Sequence, residues 1–565
     1  MAGGLPIKMQ FLQFFASSIS LFSAIGAAST TPIVTVKNGT LQGRHNEQWD
    51  QDFFLGIPYA QPPLGDLRFR WPQSIKQKWN GTRDAMEYGY SCYQYKSNFN
   101  LSEDCLTLNV VRPSGYDNQS LPVLIWIYGG GLYAGSSADP QYNLSGIVNT
   151  ASESGQPFIG VSINYRLGVW GFLQNPAILN EGSSNAGLLD QRMAMMWVQE
   201  NIAAFGGNPK KVTVWGESAG AQSIGLHLHS FGGRDDGLFS SAILESGGPV
   251  GASLNPIPFY TSAFENLTRT VGCYDGGSGQ YATAHTEALA CLRNLTSDQL
   301  FNSNYTVVWN PIVDGTFLTA YPSQLAASGH FIHVPLLLGA NTDEGISFSA
   351  HGLDNSTAIF NNLLYWRNYE LSPPSIRTLL ALYPPIPSQG VPYGDESNST
   401  YPSFGAQWRR DAAIGGDLVM IAQRRKTARE FVSGGVEDVF SYRFDTPLWN
   451  DTPPIGAQHF DNVVFSFQNI SGALGPLPEF ENYRELSRGI GRAYASFVWE
   501  GQPNGALGVT GGDDGNVTGL PLWPRYELES PKNIVLNANG SWVEADTWRE
   551  EGIAFINSIS RELLA

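Results

Sequence analysis

The chain has 565 residues, of which 42% are hydrophobic and 15% charged, and it carries a net charge of −17 at pH 7. That composition is globular, with enough apolar material for a sizeable core. The acidic balance, with a pI near 4.9, argues against nucleic acid or an anionic membrane as partner. Past the N-terminus no apolar run is long enough to span a bilayer, so no stable membrane anchor is expected.

Read in chain order, Lys8, the apolar but serine-containing stretch Phe11 to Ile25, and the small residues Gly26-Ala27-Ala28 form a secretory signal over residues 1–28. Export agrees with the Asn-x-Ser/Thr triplets opened by Asn38, Asn80, Asn100, Asn118, Asn143, Asn266, Asn294, Asn304, Asn355, Asn398, Asn450, Asn469, Asn516 and Asn539, each a glycosylation candidate. The cysteines are Cys92, Cys105, Cys273 and Cys291. In an exported chain their even number favours disulfides, and sequence proximity favours Cys92–Cys105 and Cys273–Cys291 over the other pairings. None has metal-ligand spacing with histidines, so no metal site is expected.

Ile33 to Val36 and Thr40 to Arg44 predict a hairpin around Asn38-Gly39. Phe53 to Ala60 predicts a strand, and the Pro62, Pro63 and Gly65 that follow force an ordered crossing loop through Arg68. Ser102 to Val111 alternates as a strand. Leu121 to Tyr128 is continuously apolar, the mark of a central strand covered on both faces. It ends in Gly129-Gly130-Gly131, whose N–H groups can face a cavity unobstructed and suit a developing oxyanion. Pro157 to Tyr165 is another apolar strand, and Leu188 to Phe205 has helical spacing that stops at Gly206-Gly207-Asn208-Pro209.

Lys211 to Trp215 then forms a short strand that breaks at Gly216-Glu217-Ser218-Ala219-Gly220 and resumes as an apolar helix. Strand, Gly-x-Ser-x-Gly, helix is the setting in which a serine is held on a strained turn with its hydroxyl exposed. Further core strands are expected at Ala242 to Leu244, Val334 to Leu338 and Val439 to Phe444. Residues 349–403 are loop-rich but hold an aromatic stripe around Tyr365 and Trp366 that fits either core or a pocket wall. Glu479 to Trp499 and Thr547 to Leu564 read as amphipathic helices. Strands alternating with helices predict an α/β fold with a large, mostly parallel central sheet flanked by helices. With no internal repeat or linker, residues 29–565 read as one domain with insertions in its second half.

If Ser218 is a nucleophile, its base must lie downstream, and elimination among the histidines leaves His459, in a late loop able to reach back over the strand ends. An acid should terminate an upstream core strand; the turn after Leu336-Leu337-Leu338 offers Asp343 and Glu344, which pattern alone does not separate. Glu217 beside the serine adds a negative field near the imidazole. Asp513-Asp514-Gly515-Asn516 reads as a solvated acidic turn rather than a calcium loop.

Taken together, Phe54 to Ala60, Glu103-Asp104-Cys105-Leu106, Gly129 to Gly131, Asn164-Tyr165-Arg166 with Gly171-Phe172, Gly216 to Gly220, Val313-Asp314-Gly315, Asp343-Glu344-Gly345 and Gly456 to Phe465 resemble the type-B carboxylesterase/lipase family. The C-terminal Ala538 to Ser541 and Glu551 to Phe555 look like its fungal members. The resemblance covers nearly the whole mature chain and implies the α/β-hydrolase fold. It implies cleavage of small-molecule carboxylic esters through an acyl-enzyme on Ser218, with His459 as base, Glu344 as orienting acid, and oxyanion donors at Gly130, Gly131 and Ala219. It also implies the two sequence-local disulfides and no cofactor.

Two departures matter. Only Tyr93 to Asp104 lies inside the first disulfide, too short for a lid, and the position three after the histidine, acidic in relatives, is Asn462. Substrate preference is expected to rest on loops around Gly247 to Val250 and Trp309 to Pro311 and on the aromatic segment near Trp366. A lipase or sterol esterase, and a catalytically silent adhesion relative, are the alternatives; the joint presence of Ser218, Glu344 and His459 speaks against the latter.

Overall fold

A computed structural model describes residues 31–117, 119–251, 253–274, 281–396, 403–449, 455–468, 480–505 and 519–565. The signal segment, the sequons at Asn118, Asn398, Asn450, Asn469 and Asn516, and the acidic turn 513–516 lie outside them.

An eleven-stranded sheet organises the chain. In chain order its strands are β1 (Arg44–Asn46), β2 (Gln51–Pro58), β3 (Thr107–Pro113), β4 (Leu121–Ile127), β5 (Ile159–Ile163), β6 (Gly207–Glu217), β7 (Ser241–Glu245), β8 (Leu336–Asn341), β9 (Val439–Phe444), β10 (Lys532–Leu536) and β11 (Trp542–Ala545). Across the sheet they run β11-β10-β9-β8-β7-β6-β4-β5-β3-β2-β1. From β5 through β10 every neighbouring pair is parallel, and the edges at β3 to β1 and at β11 are antiparallel. Parallel strands put their carboxyl ends on one rim, where loops from several strands converge. The glycine triplet leaves β4, Ser218 follows β6, Glu344 follows β8, and His459 lies in the loop region after β9.

Every residue of β4, β5, β7, β8 and β9 is buried, as strands covered on both faces are, with Glu245, Asn341 and Arg443 the polar exceptions near their carboxyl ends. The helices Ala186–Asn201, Ala219–Leu228 and Glu481–Glu500 cover the sheet. Beneath the serine turn, Trp215 stacks on Phe467 at 4.4 Å and meets Trp126 edge-on at 4.5 Å. Aromatic contacts of this kind fix the end of β6 against neighbouring elements.

The strand expected over Ser102 to Val111 begins only at Thr107 and is buried on both faces. Residues before it form a loop in which Cys105 joins Cys92. There, buried Glu103 takes a two-pronged ion pair from Arg68, at 2.7 and 2.8 Å. That pair, with Arg68 also donating to Leu292 O and Leu295 O, anchors the proline-rich crossing loop. Cys273 joins Cys291. Arg166 grips Asp190 at 2.8 and 2.7 Å, locking the Asn-Tyr-Arg loop to the Ala186–Asn201 helix.

Buried apolar side chains fall into a main cluster around the sheet and a second one drawn mostly from residues in the later half, including Ile359, Leu363, Tyr369, Ile376, Ile414 and Ile553. The aromatic stripe divides accordingly: Tyr369 joins that core, while Tyr365 is 86% exposed. Among the described residues no helix is long and apolar enough to cross a membrane.

Candidate active site

Ser218 occupies φ +54°, ψ −123°, a conformation that costs an L-residue on the order of 1–3 kcal/mol and persists only where the surroundings impose it. They do so here. Its N–H donates to Glu245 O at 2.9 Å, and its carbonyl starts the following helix by accepting from Gln222 N–H at 2.9 Å. The flanking glycines are sterically demanded. A Cβ at Gly220 would lie 2.0 Å from Ile127 O, and one at Gly216 2.7 Å from the backbone of Gly220.

Ser218 opens onto a cavity of about 570 Å³ whose walls include Gly130, Gly131, Tyr133, Glu217, Val308 and His459. Gly130 and Gly131 have φ of +90° and +63°, which turns the loop after β4 back upon itself. Among the described residues, the backbone N–H groups of Gly130, Gly131 and Ala219 donate to no protein acceptor. Gly130 is exposed, Gly131 half-buried and Ala219 buried, and N–H donors left open on a cavity wall in this way suit an oxyanion.

His459 Nδ1 lies 2.6 Å from Glu344 Oε2. The acid's other oxygen accepts the N–H of Asn341 at 2.6 Å. The two adjacent acids that pattern left open point to different partners. Glu344 reaches the imidazole, whereas Asp343 turns away and accepts N–H groups from Tyr393 at 2.9 Å and Ala457 at 3.2 Å. Burial pushes the Asp343 carboxyl up to about 7. Asp343 therefore laces two loops together, and its N–H donates to Ala457 O at 2.8 Å.

The histidine loop is fastened from below by Asn341, whose side-chain amide donates to Gln458 O at 2.6 Å and Asn462 Oδ1 at 3.1 Å. One residue at the end of β8 thereby holds both the acid and the loop of the base. Sequence reading missed it, although a fully buried asparagine closing an apolar strand is a signal of its own. At Asn462, the position that is acidic in relatives, the amide oxygen accepts this bond from Asn341. Asn462 also lies against Glu245, so an acid at 462 would add a further carboxyl to an already crowded group.

That group comprises Glu217, Glu245 and Glu344, all buried. Glu217 Oε1 lies 3.2 Å from His459 Nε2. Burial, together with Glu344 and Glu245, pushes Glu217 up to about 8 against the opposing pull of His459. Burial likewise pushes Glu245 up to about 7, although Tyr494 and Ser466 hydrogen-bond it. For His459, burial disfavours the imidazolium, but Glu217 and Glu344 outweigh it and raise the pKa above its ordinary value. Among the described residues the Ser218 hydroxyl makes no hydrogen bond, and His459 Nε2 faces Glu217 Oε1.

Two of the histidines set aside by elimination lie on the helix that leaves the serine turn. His227 bonds Gln191 at 3.0 Å and His229 bonds Gly225 O at 2.8 Å. Burial holds both as neutral core side chains, lowered to about 3 and about 4. All three expected loop regions reach the cavity, through residues next to or within those named. Asn310, Gly251, Ser253, Arg367, Phe348 and Met420 line the cavity, while Trp366 and residues 247–250 do not. No residue from 93–104 lines it either.

One sequon is corrected: Asn38 is buried, and its amide nitrogen donates to Ile75 O at 3.0 Å and Gln77 O at 3.2 Å. Both amide hydrogens are committed, which leaves no place for a glycan in the folded chain. Asn80, Asn100, Asn266, Asn294, Asn304, Asn355 and Asn539 are exposed, and Asn143 is half-buried.

A parallel sheet carrying a serine on a strained strand-to-helix turn, beside a carboxylate-bound imidazole and open N–H donors, defines an α/β-hydrolase. The chain belongs to the carboxylesterase family, whose model matches residues 30–555, and it is a carboxylic ester hydrolase. It is 32% identical to Lipase 4 of Diutina rugosa, covering 94% of this chain and 97% of that one. It is 31% identical to the secreted triacylglycerol lipase LIP1 of Gibberella zeae, over 94% and 91% of the two chains. Among solved structures, Aspergillus niger EstA superposes with a TM-score of 0.80 at 27% identity, covering 95% of this chain and 99% of its own. PNB esterase gives 0.72 at 28%, covering 93% and 100%.

Proposed function

We propose that Ser218 is the nucleophile of this esterase, His459 its general base and Glu344 the acid that orients the imidazole. The observation that carries the reading is the 2.6 Å contact of Glu344 with His459 Nδ1 in the cavity onto which the strained Ser218 opens. Glu344 holds the proton on Nδ1 and leaves Nε2 free to accept one. Ser218 Oγ attacks the acyl carbon as Nε2 takes its proton, a contact that tightens once substrate is bound. The N–H groups of Gly130, Gly131 and Ala219 hold the tetrahedral oxyanion. His459 then protonates the departing alcohol. Water, deprotonated by the same nitrogen, releases the acid and restores the hydroxyl. Glu217, near Nε2, stabilises the imidazolium formed in each step.

The chain is proposed to reach the outside of the cell through its signal segment; the exposed sequons, two disulfides and a relative named as secreted support this. The relatives are named lipases. For this chain we favour dissolved esters, because the short disulfide loop lines no part of the catalytic cavity. Measuring rate against concentration across the solubility limit of tributyrin decides the matter. Simple saturation below the limit is expected, and a jump in rate at the emulsion boundary would overturn it.

A further inference from the structure

Of the residues that wall the catalytic cavity, Arg367 alone carries a permanent positive charge. It and Asn368 both sit at positive φ, +52° and +61°, a backbone that side-chain-bearing residues keep only where it is held. Two buried side chains hold it. The Ser253 hydroxyl donates to Arg367 O at 3.1 Å, and the Asn255 amide donates to Asn368 O at 3.1 Å. The turn sets the guanidinium over Phe348, with its carbon 5.3 Å from the ring centroid. Phe348 in turn lies 4.8 Å from the imidazole of His459, centre to centre.

Among the described residues no carboxylate pairs with Arg367. The one acid on the cavity wall, Glu217, is turned to His459 Nε2 at 3.2 Å, and the Tyr369 hydroxyl that lies against Arg367 is neutral. Stacking on a ring face leaves the edge of the guanidinium, with its forked N–H donors, open to an anion. Which part of a substrate meets it follows from the mechanism. His459 Nε2 hands its proton to the departing alcohol, so the alcohol part lies on the histidine's side of the cavity, where Phe348 and Arg367 stand.

We propose that Arg367 is a specificity residue that reads a free carboxylate on the alcohol part of the substrate, a hydroxycarboxylic acid acylated on its hydroxyl. The proposal rests on the assignments of Ser218 and His459 above, and it names a class within the dissolved esters favoured there, since an ionised ester stays in water. The chain's net charge of −17 does not forbid an anionic substrate. At physiological salt that field is screened beyond about 8 Å, whereas Arg367 acts at contact.

Arg367→Gln and Arg367→Glu are tested in about 0.15 M salt on 4-acetoxybenzoate and its uncharged counterpart 4-acetoxybenzamide. For each, kcat/KM is taken per active site, titrated with a fluorophosphonate. Monophenyl adipate and its amide place the same charge difference on the acyl arm. A solvent-open ion pair is worth up to about fivefold, and turning attraction into repulsion roughly squares that factor. The acetoxybenzoate-to-acetoxybenzamide ratio should therefore fall about fivefold with Arg367→Gln and on the order of 25-fold with Arg367→Glu. The cationic 4-(trimethylammonio)phenyl acetate should gain on the amide with Arg367→Glu, and the adipate ratio should hold within about twofold. An acetoxybenzoate ratio within about twofold of the unmodified protein in both variants would overturn the proposal. So would an equal fall in the adipate ratio, which marks a diffuse field rather than a contact with the alcohol part. Ser218→Ala is run alongside: if it still hydrolyses 4-acetoxybenzamide, the nucleophile assignment has failed, independently of Arg367.

Discussion

Exchanging Glu344 for Gln and Asp343 for Asn separates catalysis from architecture at adjacent positions. In Glu344→Gln, the amide oxygen is held where Oε1 now accepts the Asn341 N–H at 2.6 Å. Its NH₂ then faces His459 Nδ1, where Oε2 stood at 2.6 Å. An NH₂ group donates, so Nδ1 must become the acceptor and the ring proton moves to Nε2. That tautomer cannot take the serine's proton. Loss of the correct tautomer costs on the order of 10³–10⁴ in kcat in serine hydrolases.

Asp343→Asn behaves differently. Both carboxyl oxygens accept backbone N–H groups, from Tyr393 and Ala457, and an amide can satisfy only one. One buried hydrogen bond is lost, about 1–3 kcal/mol, which for a chain this long is about 1–3 °C in Tm. Stopped-flow acylation with p-nitrophenyl acetate and differential scanning calorimetry measure the two effects. Glu344→Gln should lose activity with Tm nearly unchanged; Asp343→Asn should lose Tm and keep kcat within tenfold. The reverse pattern would refute the assignment of the acid.

Other expectations follow from the same geometry. Glu217 and Glu344 raise the His459 pKa, and the base works only when neutral, so kcat/KM should rise with pH through a midpoint above the usual histidine value. Glu217→Gln removes one carboxyl at Nε2 and should move that limb to lower pH; an unmoved or raised midpoint argues against the contact. Gly220→Ala forces a Cβ to 2.0 Å from Ile127 O and should cost more than about 3 kcal/mol of stability, so wild-type Tm in that variant would contradict the packed turn. Asn341→Leu strips the donors to Gln458 O and Asn462 Oδ1. It should lower kcat more than it raises KM, and equal effects on both would point to a general loosening instead.

Much of this site was legible because its parts are backbone devices. A strained serine turn needs glycines on both sides, and open N–H donors need a glycine run after a buried strand; neither can be disguised by side-chain substitution. Parallel strands buried on both faces also announce themselves, as Val439 to Phe444 does residue for residue. What resisted reading depends on side-chain direction. Asp343 and Glu344 are neighbours in the chain but point to different loops, and only the path of residues 455–462 decides which meets the imidazole. Val308, Arg367 and Met420 reach the cavity from segments far apart in sequence. Asn38 sits in a sequon by pattern, yet its amide is spent inside the fold on Ile75 and Gln77.

The measurement closest to the central claim is covalent labelling with a fluorophosphonate, followed by peptide mapping by mass spectrometry. The account predicts one label per chain, on Ser218, matched by complete loss of esterase activity, and no label in Ser218→Ala. A label on another residue, or an unlabelled Ser218 in fully inhibited enzyme, would contradict it.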